Sequence, residues 1–323
     1  MITEKDDLEK RLTVLKREVL TRGFDRYPSV LKNVSDLPTE LQSTAVMTLA
    51  ASAALQTIIA FPPQIHRGWH YVPKQALLFT LTDVIHIMAA IWPGEEPQLT
   101  YINGRGLMYM KVTLLLLYGY VEIAAQGPVS LTRLGVEFNT VTWDRLFPLL
   151  RQLLQATNAL PCAPTEKTTY TPTVQHALDK LPLKFLNGVK IYGLLSGEEL
   201  EELVFQPGTS KRWLFLVRRP VSRNILLLLT STYMVVIQED PEVGQGWIIL
   251  YIPRRRIVSM QNQPHGLWSE LTIQLMQEDQ TAEYKLTMKG ETAQAWRERW
   301  IQHNGQWQDI PDEPKNNPRG HDA

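Results

Sequence analysis

Eight basic side chains fall between residues 211 and 256: Lys211, Arg212, Arg218, Arg219, Arg223, Arg254, Arg255 and Arg256. Only Glu239, Asp240 and Glu242 oppose them there. Arginine forks bind phosphate and carboxylate through paired N–H donors, so this band is the leading candidate for an anion site. The competing reading makes the same residues solvated turn and edge positions, where cations also discourage strand pairing. In "YIPRRRIVSM", residues 251 to 260, the arginine triplet reads as a bend between two strands. Other chemistry finds thin support. His66 and His70 stand four apart, a metal-ligand spacing on a helix, but their surroundings read as loop or strand, and His86 sits in a strand. Cys162 lies between prolines, a poor place for a nucleophile, which needs a rigidly held base. "NGRG" at residues 103 to 106 lacks the following helix and GK[ST] of a phosphate loop. Glu95-Glu96 and Glu198-Glu199 read as turn and strand-start residues, not as an acid–base pair. No catalytic set, metal or cofactor is expected.

The totals bound the setting. A chain of 323 residues exceeds one ordinary core and suggests two domains. Thirty-three basic residues balance 33 acidic ones, so any electrostatic site must be local. One cysteine permits no internal disulfide, which fits a reducing compartment. The charged start "MITEKDDLEK" lacks an apolar signal core, and no apolar run reaches the length of a membrane helix. A cytoplasmic protein is expected, one that can sit peripherally at a membrane.

The elements that must position the basic band emerge when the chain is set against itself. At an offset of 150, Leu77-Leu78 meets Leu227-Leu228, Thr80 meets Thr230, Thr82 meets Thr232, and Tyr101-Ile102 meets Tyr251-Ile252. With Ile87, Gly94, Arg105 and Met110, this makes 10 identities over the 35 positions from Ala76 to Met110. Chance gives about two or three at ordinary residue frequencies. The apolar match persists to Leu146 and Leu150 against Trp296 and Trp300. Upstream, Trp69 matches Trp213 at 144, so the second copy carries about six extra residues near "LFLVRRPVSRN".

The second copy reads as a run of short strands. "NILLLLTS" and "TYMVVIQED" form a hairpin, "SELTIQLMQ" and "AEYKLTMKG" alternate with period two, and "ETAQAWRERWIQHN" shifts to helical spacing. The first copy closes alike, with "RLGVEFNTV" and then "TWDRLFPLLRQLLQAT", in which Pro148 is a fault in the helix. Each copy thus carries about seven antiparallel strands and one terminal helix, and a small barrel capped by that helix would satisfy the strand edges.

This order resembles the bacterial pleckstrin-homology-like (PH-like) domain. The resemblance rests on Leu226 to Thr230, the strand Tyr233 to Ile237, Ile252-Pro253 with Arg256-Ile257, and Trp296. The first copy departs from it at Asn103, Gly106 and Leu146. The resemblance implies an α+β, mainly β fold with two PH-like β-barrels or rolls in tandem. It also implies ligand contact near the first two strands of a copy, where Lys211 to Arg223 fall.

The expected organisation is an N-terminal helical segment (1–48), a first domain (49–157), a Pro/Thr-rich linker and lead-in (158–193), a second domain (194–303) and a disordered tail (304–323). Within the first segment, Leu8, Leu12, Leu15 and Val19 form a short heptad seam. The expected function is non-enzymatic binding of a protein partner, and of an anionic phospholipid head group or phosphorylated ligand through the basic band. The rival is an enzyme with its site at the inter-domain cleft. No nucleic-acid partner is expected, because basic and aromatic residues are hardly interleaved.

Overall fold

The computed structural model describes residues 28–50, 55–66, 70–92, 94–157, 170–195, 197–213, 217–220, 222–240 and 246–304. The heptad seam, Cys162 and the chain beyond residue 304 lie outside the described residues.

The first half begins with strand β1 (Ser29–Leu31) and helix α1 (Thr39–Ala50). It continues through β2 (Thr57–Phe61), β3 (Gln64–His66), β4 (His70–Val72), β5 (Gln75–Phe79), β6 (Asp83–Met88), β7 (Gln98–Asn103), β8 (Leu107–Leu115), β9 (Tyr118–Ala125) and β10 (Thr132–Asn139), and closes with helix α2 (Trp143–Ala156). Helices α3 (Pro172–Asp179) and α4 (Leu183–Gly188), with a π turn at Val189–Gly193, lead into the second half. There follow β11 (Leu200–Gln206), β12 (Ser210–Trp213), β13 (Val217–Pro220), β14 (Ile225–Thr230), β15 (Tyr233–Glu239), β16 (Trp247–Pro253), β17 (Ile257–His265), β18 (Trp268–Gln277), β19 (Gln280–Lys289) and helix α5 (Gly290–Asn304). The fold is mainly β, and every ladder between named strands is antiparallel.

The chain path from β2 to α2 recurs from β11 to α5. In each, a four-strand meander (β2-β5-β6-β7, then β11-β14-β15-β16) is interrupted after its first strand by a separate hairpin (β3-β4, then β12-β13). The extra residues of the second half lie in its hairpin region, between β11 and β14. A 3-10 turn then leads into a three-strand meander, at Gly104–Gly106 and again at Arg254–Arg256. Both turns are held alike: Gly104 N–H donates to Thr82 O and Arg254 N–H to Thr232 O, each at 2.9 Å. The threonines matched by sequence also act alike. Thr80 Oγ1 accepts from Asp83 N–H and Thr230 Oγ1 from Tyr233 N–H, both at 3.0 Å, fixing the tight turns β5–β6 and β14–β15.

The expected seven-stranded barrels are not closed. The 3-10 turn separates each set into four strands and three. The outer edge of β8 then pairs with β16 of the other half, Met110 opposite Tyr251 and Leu114 opposite Trp247. Main-chain donors at that edge are satisfied across the halves instead of within one, giving a seven-stranded sheet in the order β10-β9-β8-β16-β15-β14-β11. The halves are also joined at a turn, where Gln280 Nε2 donates to Gly127 O at 2.7 Å and Gln280 Oε1 accepts from Gly127 N–H at 3.2 Å.

Alternation along each strand sorts the core. Leu227, Leu229, Leu250 and Ile252 face β17–β19 and α5, together with Trp296 and Trp300. Leu226, Leu228, Ile249 and Tyr251 face the opposite way, toward α2, α3 and α4. Those last two helices occupy a stretch in which the sequence suggested only linker and lead-in. Val174, Leu178 and Phe185 bury the apolar stripe that seats them. Helix α2 runs through Pro148. The lost hydrogen bond and ring clash cost about 3 kcal/mol, while each large apolar side chain buried returns about 1.5–3 kcal/mol. Trp143, Leu146, Phe147, Leu150, Leu153 and Leu154 are all buried, so packing wins. Among the described residues no helix is long and apolar enough to cross a membrane.

Candidate functional site

The eight basic residues divide into two groups. The triplet Arg254–Arg256 bonds to groups of this chain, with Arg254 and Arg256 partly buried and Arg255 exposed. Arg254 donates to Glu201 Oε2 at 2.7 Å, Thr230 O at 3.0 Å and Asn304 Oδ1 at 2.9 Å, with its guanidinium 5.9 Å from the centre of the Trp300 ring. Arg255 donates to Arg105 O at 3.2 Å. Arg256 reaches the same carbonyl and that of Leu107, the latter at 3.1 Å. The bend expected there is present as a 3-10 turn; Arg254 ties it to the second half, and Arg255 and Arg256 fasten it to the first.

Four of the others belong to the β12–β13 ribbon, and Arg223 follows it in the chain. In the β12–β13 ribbon, Lys211 stands opposite Arg219, and Arg212 opposite Arg218. The ribbon belongs to no larger sheet.

Arg223 is exposed just after the ribbon and lines a cleft of about 490 Å³. The other lining residues are Lys111, Ser222, Gln238, Ile248, Trp268, Tyr284, Lys285, Leu286 and Thr287. A volume of this order suits a small organic ligand or head group. The walls come from the large sheet and from β18–β19, and Lys111 is supplied by the first half. Strand pairing explains its place. Lys111 lies opposite Leu250 of β16, on the face turned toward β18–β19, while Val112 and Leu114 point the other way into the core. Tyr109, two residues earlier, packs edge-on against Tyr284 with ring centres 6.1 Å apart. Its hydroxyl donates to Glu122 Oε1 at 2.5 Å. Burial pushes the Tyr284 phenol up to about 12, so it is an uncharged donor near neutrality.

The cleft is therefore lined by three cations, hydroxyls from Ser222 and Thr287, and apolar surface from Ile248, Trp268 and Leu286. The described lining includes no carboxylate. Lys285 is already paired with Glu270 at 2.9 Å and Glu283 at 3.2 Å, which leaves Lys111 and Arg223 as its stronger anion contacts. Nothing in this lining pairs a nucleophile with a base.

Buried ionisable groups elsewhere serve structure. His86 Nε2 lies 2.8 Å from Gln75 Oε1 inside the first half, and burial lowers its imidazole to about 4. Glu198 accepts from Leu195 N–H at 3.1 Å and from Thr232 Oγ1, while burial raises its carboxyl to about 7. His66 and His70 stand opposite each other in the β3–β4 hairpin. Among the described residues no group of three or more His, Cys, Asp and Glu is placed to hold a metal.

Sequence reasoning missed Lys111, Gln238, Trp268, Tyr284 and Lys285. The alternation Lys111-Val112-Thr113-Leu114 marks one wet and one dry face, but not which strand lies beside them. No protein-family model and no curated protein matches the chain.

Proposed function

We propose that the chain is a non-enzymatic binding protein made of two PH-like modules in tandem, residues 49–157 and 194–303. The second module takes an anionic, phosphate-bearing group, carried by a lipid head group or by a phosphorylated protein partner. The carrying observation is the cleft that brings Arg223 and Lys111 together, with the β12–β13 ribbon, in whose register Lys211 pairs with Arg219 and Arg212 with Arg218, standing just before Arg223 in the chain. Cations gathered at one cleft strengthen binding of a phosphate-bearing group through charge-assisted hydrogen bonds. The recurring strand path supports the tandem reading. Arg254 and Arg256 drop out of the ligand set because Glu201, Thr230, Asn304, Arg105 and Leu107 engage their donors, and Arg255, exposed and bonded to the Arg105 carbonyl, does not line the cleft.

The test is co-sedimentation with vesicles of phosphatidylcholine, with and without phosphatidylserine, alongside calorimetry with inorganic pyrophosphate. Binding to the anionic vesicles or to pyrophosphate should weaken with salt. It should be lost in Lys211→Glu/Arg219→Glu and in Arg223→Glu, reduced in Lys111→Met, and retained in Arg255→Ala. Vesicle binding without pyrophosphate binding assigns the ligand to a membrane surface. Failure to bind either probe overturns the proposal.

A further inference from the structure

The matched halves differ in what covers one strand. In the second half, β16 is an interior strand, with Ile249 and Tyr251 fully buried and Tyr251 Oη donating to Tyr192 O at 2.8 Å. In the first half the matching strand is β7, and it ends its sheet. Leu99 and Tyr101, at the positions of Ile249 and Tyr251, remain 48% and 45% exposed. They lie opposite Ile87 and Ile85, on the sheet face that α1 covers only in part.

The other edges of the three larger sheets are managed. Strand β1 has three residues. Strand β10 carries Arg133 and Glu137, β11 carries Glu201 and Glu202, and β19 carries Glu283, Lys285 and Lys289. Strand β17, the counterpart of β8, has Asn262 and Pro264 where β8 has Val112 and Leu114, and Arg297 Nε donates to its Met260 O at 3.3 Å. A proline and a side chain on the edge carbonyl block head-to-tail addition of β17 to β7. Strand β7, Gln-Leu-Thr-Tyr-Ile-Asn, carries no charge and no proline.

Its flanks select the occupant. Exposed Glu95 and Glu96 precede β7, and exposed Arg105 follows it. An antiparallel pairing of β7 with β7 of a second copy, centred on Thr100, sets Leu99 against Tyr101 of the other chain. The same register brings Glu95 toward Arg105 of the other chain, twice by symmetry. A parallel pairing would set acid beside acid. We infer that β7 is the contact strand of a symmetric dimer, in which two copies join their first sheets edge to edge through Leu99, Thr100 and Tyr101. Such an isologous contact closes on itself and needs no second surface. This goes beyond ligand binding and uses the opposite half of the molecule.

Sedimentation equilibrium of the full-length chain across the micromolar range tests it. A monomer–dimer equilibrium is expected. Leu99→Lys, with an unchanged far-ultraviolet circular dichroism spectrum, should weaken dimerisation about tenfold or more by placing like charges at the dyad. Arg105→Glu leaves in place the main-chain carbonyl that Arg255 and Arg256 bind, and should weaken it about fivefold. Adding Glu95→Arg to that variant should restore the wild-type constant, a rescue that decides the register even if Leu99→Lys misfolds. A chain that stays monomeric throughout overturns the inference, as does a dimer indifferent to these changes.

Discussion

Arg256 Nε donates to the carbonyl oxygen of Leu107 at 3.1 Å, across 149 residues of sequence. Leu107 opens β8, the strand that completes the second half's sheet, and Arg256 ends the turn after β16, the strand it pairs with. The guanidinium thus clamps the start of the inter-half ladder. Burial lowers Arg256 only to about 10, so it stays charged near neutrality and its hydrogen bonds are charge-assisted.

Arg256→Ala should therefore destabilise the protein by about 1.5–3 kcal/mol, the range for a hydrogen bond to a charged group. Chemical denaturation followed by tryptophan fluorescence measures it. The wild type should unfold in one transition, because a continuous sheet couples the halves. Arg256→Ala should bring separation of that transition into two.

Two buried groups give opposite pH dependences. Glu198 is raised from 4.5 to about 7, so the folded state holds the extra proton between those values. Its contribution is present at low pH and is lost as pH rises through 7. His86 is lowered from 6.5 to about 4, so the unfolded state holds the extra proton there, and stability is lost as pH falls from 6.5 toward 4. In the overlap, from about 4.5 to 6.5, the two slopes oppose. Glu198→Gln should leave stability rising with pH across that window. His86→Val, with Gln75→Ile to remove its partner, should leave it falling. Urea midpoints at several pH values decide both, and unchanged slopes would refute the assignment.

Two matched tyrosines should respond differently to loss of their hydroxyl. Tyr251→Phe removes the donor to the partly buried Tyr192 carbonyl from a fully buried ring and should cost about 1–3 kcal/mol. Tyr101→Phe, at the exposed counterpart, should stay within about 0.5 kcal/mol when measured on the dilute chain.

Much of the strand order was legible beforehand because it rests on local pattern. "SELTIQLMQ" alternates, and β18 buries Leu271, Ile273 and Leu275. Trp296 and Trp300 share a helical stripe, and α5 buries both. Thr80 and Thr230 matched at the offset of 150 because each hydroxyl closes the same turn. Helices α3 and α4 escaped notice because they are short and follow a proline- and threonine-rich stretch.

The amino-acid sequence alone determined which faces are apolar, where period two gives way to helical spacing, and that one strand path is used twice. Side-chain pattern encodes those properties within a few neighbouring residues. Only the tertiary structure decided that β8 joins β16, that Lys111 enters a cleft of the other half, and that Arg255 and Arg256 fasten one half to the other. Strand edges are joined by main-chain groups common to every residue, so the choice between two edges is made by the packing of the whole molecule.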